Sequence, residues 1–356
     1  MMRSRSVPLA AWLAGAALLA TACGASPDST QDEPKGEAAA SASDTDEGAD
    51  ADGDDAAADH ATGEVEVEHA MGATTVTCTP ERVVTLGQGQ TDSTLALGVT
   101  PVGVVQPWTD DWYEYLPAAV EEPTVVGTEL EPDLEAIAAL EPDVILGSKL
   151  RHEAFYEQLS QIAPTVFSET IGVAWKDNVS LWAQALCRDD EGAEVLAAYE
   201  ERADELESAL EEAGMADTEV SMIRFQPDEV RIYLTGFPGS VLRDAGLQRP
   251  VEQRVDDWAT SPQLIEISEE RIPEMDGDVI FVMVSSDSYA QAEGYDLDET
   301  MERWTSTELW QGLSAVQEDA VHKVNEQHWN LGGGILAANA MLEDLEEYFL
   351  EEQPTS

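Results

Sequence analysis

Basic residues are scarce in this sequence. Its 356 residues include 17 lysines and arginines against 73 aspartates and glutamates, which gives a formal net charge of −56. Such a charge repels nucleic acid and anionic lipid headgroups, so binding to either is disfavoured. The composition suits a protein that is held outside the cell.

Histidine is also scarce. Of five histidines, only His152, His322 and His328 follow residue 70, and their spacing fits neither a helical nor a hairpin pair of metal ligands. A directly coordinated Zn²⁺ or Mn²⁺ ion is therefore disfavoured. The sequence has no Gly-x-Ser-x-Gly segment either. Together with the few histidines, this argues against an extracellular hydrolase, which is the enzymatic alternative to a binding protein.

Only three cysteines occur in the chain. Cys78 and Cys187 are an even pair, and in an oxidising compartment such a pair predicts a disulfide between the start of the folded region and the end of its first half. Two free buried thiols are the alternative interpretation.

The third cysteine, Cys23, follows a segment typical of secretion signals. Two arginines precede an apolar stretch (residues 7–20) that is too short to span a bilayer, and small residues lead to the cysteine. The segment resembles the lipobox of bacterial lipoproteins, although Ala20 stands where leucine is usual. We therefore expect a signal peptide at residues 1–22 and a lipid on Cys23, with ordinary secretion as the alternative.

Residues 23–70 are mainly Ala, Ser, Gly, Asp and Glu, with almost no large apolar side chain. Such a segment buries too little apolar surface to offset the entropy lost on ordering. It is predicted to be a disordered, self-repelling acidic tether.

The remaining sequence alternates strand and helix patterns on both sides of one long helical segment. This pattern predicts an α/β fold of two Rossmann-like lobes joined by one long α-helix, with the ligand cleft between the lobes. The N-terminal lobe is expected at residues 71–188, the linking helix at 189–214 and the C-terminal lobe at 215–356.

A helix-strand segment occurs twice. LEAIAALEPDVILG (134–147) and SEERIPEMDGDVIFV (268–282) both carry a glutamate eight residues before an aspartate, and an apolar run follows the aspartate. The two segments are interpreted as one structural unit present in both lobes, with Glu135 and Glu270 in equivalent first turns. Chance similarity of two common helix-strand units is the alternative.

From Met71 onwards the chain resembles the iron-siderophore and vitamin B12 family of ABC-transporter substrate-binding proteins, in its actinobacterial lipoprotein form. Seven segments carry the resemblance, in the order that the family has them. They are RVVTLG with LALGVTPVGV, PDLEAIAALEPDVIL, YEQLSQIAPTV, the long linking helix, VLRDAGLQRP, EISEERIPEMDGDVIFV and GGGILAANAMLEDL.

This resemblance implies a monomeric, non-enzymatic lipoprotein on the outer face of the cell membrane, without a resident cofactor. It would capture a ferric siderophore, expected to be of hydroxamate type, and deliver it to an ABC permease dimer. Cobalamin and haem remain alternative ligands. In the family, one exposed glutamate per lobe enters an arginine pocket of the permease, and Glu135 and Glu270 match those positions. Glu269 is the second choice in the C-terminal lobe, and plain surface glutamates at helix starts are the alternative.

The resemblance also implies a binding site of arginine and aromatic side chains, which suit an iron chelate rich in oxygen atoms. Two of these candidates can instead belong to the core: Trp175 under the linking helix and Trp329 beneath the last helix. Trp182, Trp304 and Trp310 are expected in the core. The ligand candidates are Arg224, Tyr233, Trp108, Trp329, Arg151, Lys149, Gln106 and Trp175.

Overall fold

The computed structural model describes residues 63–258, 260–284, 290 and 294–351. The expected signal peptide, Cys23 and most of the expected tether lie outside these residues. Of the helices described, none has the length and apolar character needed to cross a membrane.

A β-hairpin opens the described chain and corrects the predicted end of the tether. β1 (Glu64–His69) pairs antiparallel with β2 (Gly72–Thr77). Residues 64–69 therefore belong to the fold, although the tether was expected to extend to residue 70. The sequence EVEVEH alternates with period two, and it buries Val67 while its glutamates remain exposed.

The N-terminal lobe, called the N-lobe below, is built on a parallel sheet of five strands in the order β5-β4-β3-β6-β7. Strand β6, which lies beside the central strand β3, is completely buried and begins with a continuous apolar run, as a parallel sheet covered on both faces requires. The strands are β3 Val83–Thr85, β4 Gly103–Val104, β5 Thr124–Val125, β6 Val144–Ser148 and β7 Thr165–Ser168. The α-helices are α1 Gln88–Ala96, α2 Leu134–Ala139, α3 Lys149–His152, α4 Tyr156–Leu159 and α5 Trp175–Ala185, and 3₁₀ helices span Ala118–Glu121 and Glu153–Phe155.

One long helix, α6 (Asp189–Glu212), connects the lobes, compared with the expected range of 189–214. Its 24 residues span about 36 Å at 1.5 Å per residue. Tyr199, Ala203, Leu206 and Leu210 recur at helical spacing and are buried. The helix ends before Gly214, whose positive φ of 79° is a conformation that glycine adopts without strain.

The C-terminal lobe, called the C-lobe below, has a mixed sheet in the order β10-β9-β8-β11-β12, in which β9 is antiparallel to both of its neighbours. Its strands are β8 Val220–Phe225, β9 Val230–Tyr233, β10 Leu264–Ile267, β11 Val279–Val284 and β12 Val321–Asn325. Its α-helices are α7 Gly236–Asp244, α8 Leu297–Thr305, α9 Glu308–Gln311, α10 Ser314–Gln317 and α11 Ile335–Glu346. Val251–Gln253 and Glu269–Met275 are 3₁₀ helices, and Gln327–Leu331 and Glu347–Glu351 are π-helical.

The repeated segment occupies the same place in both lobes. β6 lies beside β3, the first strand of the N-lobe sheet, and β11 lies beside β8, the first strand of the C-lobe sheet. The two copies differ in the preceding helix, which is α-helical at Glu135 and 3₁₀ at Glu270, where Pro273 lies inside the helix. A proline in that position lacks the N–H that a regular α-helix requires.

The two lobes share a hydrophobic core at their junction. Trp175 of α5 contacts Tyr199 of α6 and Phe237 of α7, with ring centroids 5.0 and 5.8 Å apart. Lys176 Nζ also lies 2.9 Å from Asp244 Oδ2 in the C-lobe. Burial of each large apolar side chain in this core stabilises the protein by about 1.5–3 kcal/mol. The core around Trp175 therefore holds the two lobes together.

Cys78 and Cys187 are joined by a disulfide with Cα atoms 5.3 Å apart. It connects the chain after β2 with the turn between α5 and α6. The bond therefore closes the N-lobe just before the linking helix begins.

Candidate functional site

A cavity of about 310 Å³ lies between the lobes. This volume falls within the usual range for small-molecule sites, about 300–1,000 Å³. Residues after β3, β4, β5, β6 and β12 line it, as expected for parallel strands whose carboxyl ends face a ligand. The polar and aromatic residues of the lining are Gln88, Gln90, Ser93, Trp108, Glu129, Arg151, Trp175, Asn178, Trp182, Arg224, Arg231, Tyr233, Thr235, Phe237, Gln263 and Asn330.

The first turns of α1 supply one wall. Gln88, Gln90 and Ser93 are almost fully buried, although they are polar. Gln88 Nε2 donates to the carbonyl of Gln106 at 3.0 Å, which ties α1 to the chain after β4. These side chains place amide and hydroxyl groups beside the cavity.

Glu129 joins two other cavity residues of the N-lobe. Its Oε2 accepts from the Trp108 indole N–H at 3.2 Å, and its Oε1 lies 3.4 Å from Arg151 Nε. Burial raises the pKa of the Glu129 carboxyl, while Arg151 and Trp108 oppose that increase. The carboxylate therefore fixes an indole and a guanidinium group at the same wall.

A tight turn brings Glu129 to this position. The Thr128 N–H donates to the Glu131 carbonyl at 3.1 Å, and Gly127 precedes the turn with a φ of +96°. A side chain on Gly127 would collide with the backbone of Glu131, because its Cβ would lie 2.5 Å from that carbonyl oxygen. Glycine is therefore needed for the turn to close.

His152 is hydrogen-bonded to the same turn. The Ser148 N–H donates to His152 Nδ1 at 3.0 Å, so Nε2 carries the proton and donates to the Glu129 carbonyl at 2.9 Å. Burial lowers the pKa of His152, which favours this neutral form. His152 is therefore a structural support of the Glu129 turn.

The C-lobe wall presents two neighbouring arginines. Arg224 on β8 and Arg231 on β9 are directly opposite each other in the antiparallel register. Arg224 Nε lies 3.1 Å from Glu326 Oε1 in a pair that is almost fully buried. Arg231 Nη2 lies 3.2 Å from Glu229 Oε1 and 3.4 Å from Glu266 Oε1.

Tyr233 and Asn330 complete that wall. Asn330 Nδ2 donates to Glu326 Oε1 at 2.9 Å and reaches the Tyr233 hydroxyl at 3.4 Å. Burial is the main cause that raises the pKa of Tyr233, and the charge of Glu326 adds to it. Tyr233 thus remains a neutral phenol.

Five of the eight predicted ligand residues line this cavity: Trp108, Arg151, Trp175, Arg224 and Tyr233. Trp175 also fits its alternative interpretation, because it packs against α6 and its indole N–H donates to Ser240 Oγ at 2.8 Å. These five residues are positioned around the cavity, and their contact with a ligand stays a prediction.

The other three candidates, Lys149, Gln106 and Trp329, lie outside the lining of this cavity. Lys149 turns to Glu169, with Nζ 2.7 Å from Oε1. Gln106 is exposed, and its backbone carbonyl accepts from Gln88 of the cavity lining. Trp329 is buried under α11, where its indole N–H donates to Asp344 Oδ2 at 2.7 Å.

Trp304 and Trp310 lie in the core of the C-lobe, and the buried Trp182 also reaches the cavity lining. Six further lining residues were not among the predicted ligand residues: Gln88, Gln90, Glu129, Arg231, Gln263 and Asn330. A signal was available for the first two, because GQGQ directly follows a buried strand. Glu129 had no such signal in a chain with so many acidic residues.

The repeated glutamates are both exposed second residues of a helix. The Asp133 side chain accepts from the N–H groups of Glu135 and Ala136 at 3.0 Å each. The backbone N–H of Glu270 and the Ser268 hydroxyl lower the pKa of the Glu270 carboxyl. Glu270 is therefore ionised at neutral pH at the start of its helix.

The family pattern of periplasmic binding proteins matches residues 83–327. The chain belongs to the periplasmic binding protein family. The matched range contains both sheets and all lining residues of the cavity except those after residue 327. Members of this family bind substrates and are not enzymes.

Similar proteins extend over most of the chain. The probable siderophore-binding lipoprotein YfiY of Bacillus subtilis is 40% identical over 80% of this chain and 87% of its own length. The achromobactin-binding periplasmic protein of Dickeya dadantii is 37% identical over 75% of this chain and 85% of its own. The crystal structure of Staphylococcus aureus SirA complexed with staphyloferrin B has a TM-score of 0.72 and 36% identity, covering 80% of this chain and 97% of SirA.

Proposed function

We propose that this protein captures a ferric siderophore in the cavity between its lobes and delivers it to the permease of an ABC importer. The observation that carries the proposal is the composition of the cavity lining. Both lobes contribute arginines, neutral N–H and O–H donors and aromatic rings to one small-molecule space. Among the proteins similar to this chain over most of its length, YfiY is named for siderophore binding, another is named for achromobactin binding, and SirA is complexed with staphyloferrin B.

This lining suits an iron chelate in which the chelator already saturates the metal. Such a ligand offers oxygen atoms and flat organic arms, which guanidinium and amide groups recognise without a bond to iron. The side chains suited to this contact are Arg151 and Trp108 on the N-lobe wall and Arg224 and Tyr233 on the C-lobe wall. The iron is cargo and needs no ligand from the protein.

Tryptophan fluorescence tests this function directly. Trp108, Trp175 and Trp182 line the cavity, so a bound ferric chelate should quench the emission. Ferric trihydroxamate, ferric α-hydroxycarboxylate and ferric catecholate chelates would be titrated separately, with the iron-free chelators as controls. Trp108→Phe should reduce the quenching, whereas Trp304→Phe, in the C-lobe core, should leave the fractional quenching largely unchanged.

Cobalamin and haem are the alternative ligands within the same fold, and both belong in the titration. Saturable quenching by one of them, with none by the ferric chelates, would replace the siderophore proposal. A screen of ester, glycoside and phosphate substrates addresses the hydrolase alternative, and we expect no turnover.

Delivery is proposed to use Glu135 and Glu270 as contacts with arginine pockets of the permease. Exposed charges of this kind speed association and fix orientation more than they raise affinity. Glu135→Ala and Glu270→Ala should reduce uptake of the iron chelate into cells, while the affinity for the chelate stays within about twofold, because the two functions use separate groups.

Glu308→Ala is a matched control for the docking test. Glu308 is likewise an exposed glutamate in the first turn of a helix, but it lies outside the repeated segment. Equal loss of uptake in the control would contradict the assignment. Glu269→Ala tests the second choice in the C-lobe.

Attachment to the outer face of the cell membrane is proposed through a lipid on Cys23. Cys23→Ser should abolish incorporation of labelled fatty acid and release the protein from the membrane fraction. Release without any loss of label would contradict the assignment.

A further inference from the structure

The arginines of the cavity are already paired with carboxylates of the protein. Among the described lining residues, the arginines are Arg151, Arg224 and Arg231. Each has at least one carboxylate oxygen within 3.4 Å, supplied by Glu129, Glu326 and Glu229 respectively. The positive charge that the cavity offers to a ligand is therefore much smaller than the number of arginines suggests.

Two of these carboxylates are buried, and they belong to opposite lobes: Glu129 lines the cavity, and Glu326 contacts the lining residues Arg224 and Asn330. Glu129 is 7% exposed and Glu326 is fully buried. Both are held by further hydrogen bonds, from Trp108 to Glu129 and from Asn330 to Glu326. Glu229, by contrast, is partly exposed, so water weakens its effect.

We infer that Glu129 and Glu326 set the charge of the ligand that the cavity accepts, and that they restrict it to uncharged or weakly anionic ferric chelates. This inference rests on the proposed function, since it concerns the same cavity. It adds a selection of the ligand by charge, which two buried carboxylates paired with cavity arginines exert.

The physical reason is that buried charges act over distance with little screening. Water and salt attenuate interactions between exposed charges, whereas charges in a poorly hydrated region interact more strongly. An arginine that faces a buried carboxylate can still donate hydrogen bonds to a chelate. Such an arginine neutralises less of the negative charge of the chelate, because the carboxylate already neutralises most of the positive charge of the arginine.

The net charge of the chain acts in the same direction. At −56, the protein repels a highly charged anion as it approaches, and the cavity offers little excess positive charge to reverse this. A ferric tris-catecholate carries three negative charges, whereas a ferric trihydroxamate is uncharged. The expected preference is therefore for the trihydroxamate or for a monoanionic mixed chelate.

The alternative is that the two carboxylates merely anchor the arginines. Amide variants separate the two roles, because Glu→Gln removes the charge and retains the size and one acceptor oxygen. An anchor role predicts equal loss of affinity for all chelates. A charge-selecting role predicts that the ratio of affinities changes in favour of the anion.

The experiment measures dissociation constants of a ferric trihydroxamate and a ferric tris-catecholate for the wild type, Glu129→Gln and Glu326→Gln. Glu169→Gln and Glu274→Gln are matched controls, because these glutamates pair with Lys149 and Arg271 outside the cavity. Thermal unfolding is measured for each variant. Glu129→Gln alone decides the question if Glu326→Gln does not fold.

We expect the wild type to prefer the trihydroxamate. In Glu129→Gln the ratio of affinities should shift towards the tris-catecholate by roughly tenfold, as removal of one poorly screened charge implies. The shift should shrink at high salt, and the control variants should keep the wild-type ratio. An unchanged ratio in Glu129→Gln, or a wild type that prefers the tris-catecholate, would overturn the inference. A wild type that binds no ferric chelate would overturn the proposed function itself, and the inference with it.

Discussion

The Asp92 carboxylate in the N-lobe caps a helix of the C-lobe. Its Oδ1 accepts from the Leu336 N–H and its Oδ2 from the Ala337 N–H, each at 2.9 Å, in the first turn of α11. Asp92 is completely buried. Gly334 permits this approach, because a Cβ there would lie 2.3 Å from Asp92 Oδ1. The contact is a second attachment between the lobes, in addition to the core around Trp175.

Asp92→Ala should destabilise the protein by about 2 kcal/mol, because two N–H groups of α11 lose an acceptor that is itself fully buried. Urea unfolding followed by circular dichroism measures this loss. Asp133→Ala is the matched control, since Asp133 also accepts from two N–H groups at a helix start but is exposed. We expect a loss of about 1 kcal/mol or less in the control, because water can replace the lost acceptor. Equal losses of unfolding free energy in the two variants would contradict the prediction that burial of Asp92 makes its removal more costly.

Asp92 should also make stability depend on pH. Burial is the main cause that raises its pKa from 3.8 to about 7, against the opposing effect of the two backbone N–H groups. Between these values the folded protein retains a proton that the unfolded chain has released, so this group lowers stability as pH rises through that range, and the loss persists above it. In Asp92→Asn the contribution is absent.

The measurement compares the unfolding free energies of the wild type and Asp92→Asn at about pH 5 and about pH 8. The wild type should lose stability relative to Asp92→Asn as pH rises, and other titrating groups cancel in the difference. A difference that does not vary with pH would contradict the raised pKa.

The Cys78–Cys187 disulfide should contribute substantially to stability. The two cysteines are 109 residues apart, and restricting the unfolded chain over a loop of that length is worth about 3–5 kcal/mol. The double variant Cys78→Ala/Cys187→Ala should unfold at correspondingly lower urea concentration. Reduction of the wild type with dithiothreitol is the control and should produce a similar shift. No shift in either case would contradict the prediction.

Asp143 and Asp278 should make similar contributions in the two lobes. Asp143 Oδ2 accepts from the Arg82 N–H at 2.9 Å, while its own N–H donates to the Arg82 carbonyl. Asp278 forms the same pair of bonds with Glu219, at 2.8 Å each. Asp143→Ala and Asp278→Ala should each cost about 1 kcal/mol in urea unfolding. A large difference between the two would contradict their structural equivalence.

Local patterns predicted much of the fold. The apolar spacing of α6 and the continuous apolar runs of β6 and β11 are properties of short segments, and they hold wherever the segment lies. The alternation of EVEVEH also indicates strand β1, but the acidic composition of the preceding segment led to the prediction that these residues belong to the tether. The composition of a long segment is a weaker guide at its ends than in its middle.

The lining of the cavity between the lobes was less predictable. Arg224 and Tyr233 follow from the resemblance to a known family, whereas Lys149 and Trp329 are of the right residue type but face elsewhere. Glu129 reaches the cavity through a turn that depends on Gly127 and on His152, which lies 23 residues further along the chain. Nothing in the residues beside Glu129 distinguishes it from the many exposed glutamates.

The sequence by itself determined the fold class, the repeated helix-strand unit and the long connecting helix, because periodicity and capping act over a few neighbouring residues. The tertiary structure decided which charged groups meet: Glu129 with Arg151, Glu326 with Arg224, and Asp92 with α11. The reason is that electrostatic partners are set by distance and burial. Both depend on how segments far apart in the chain pack together.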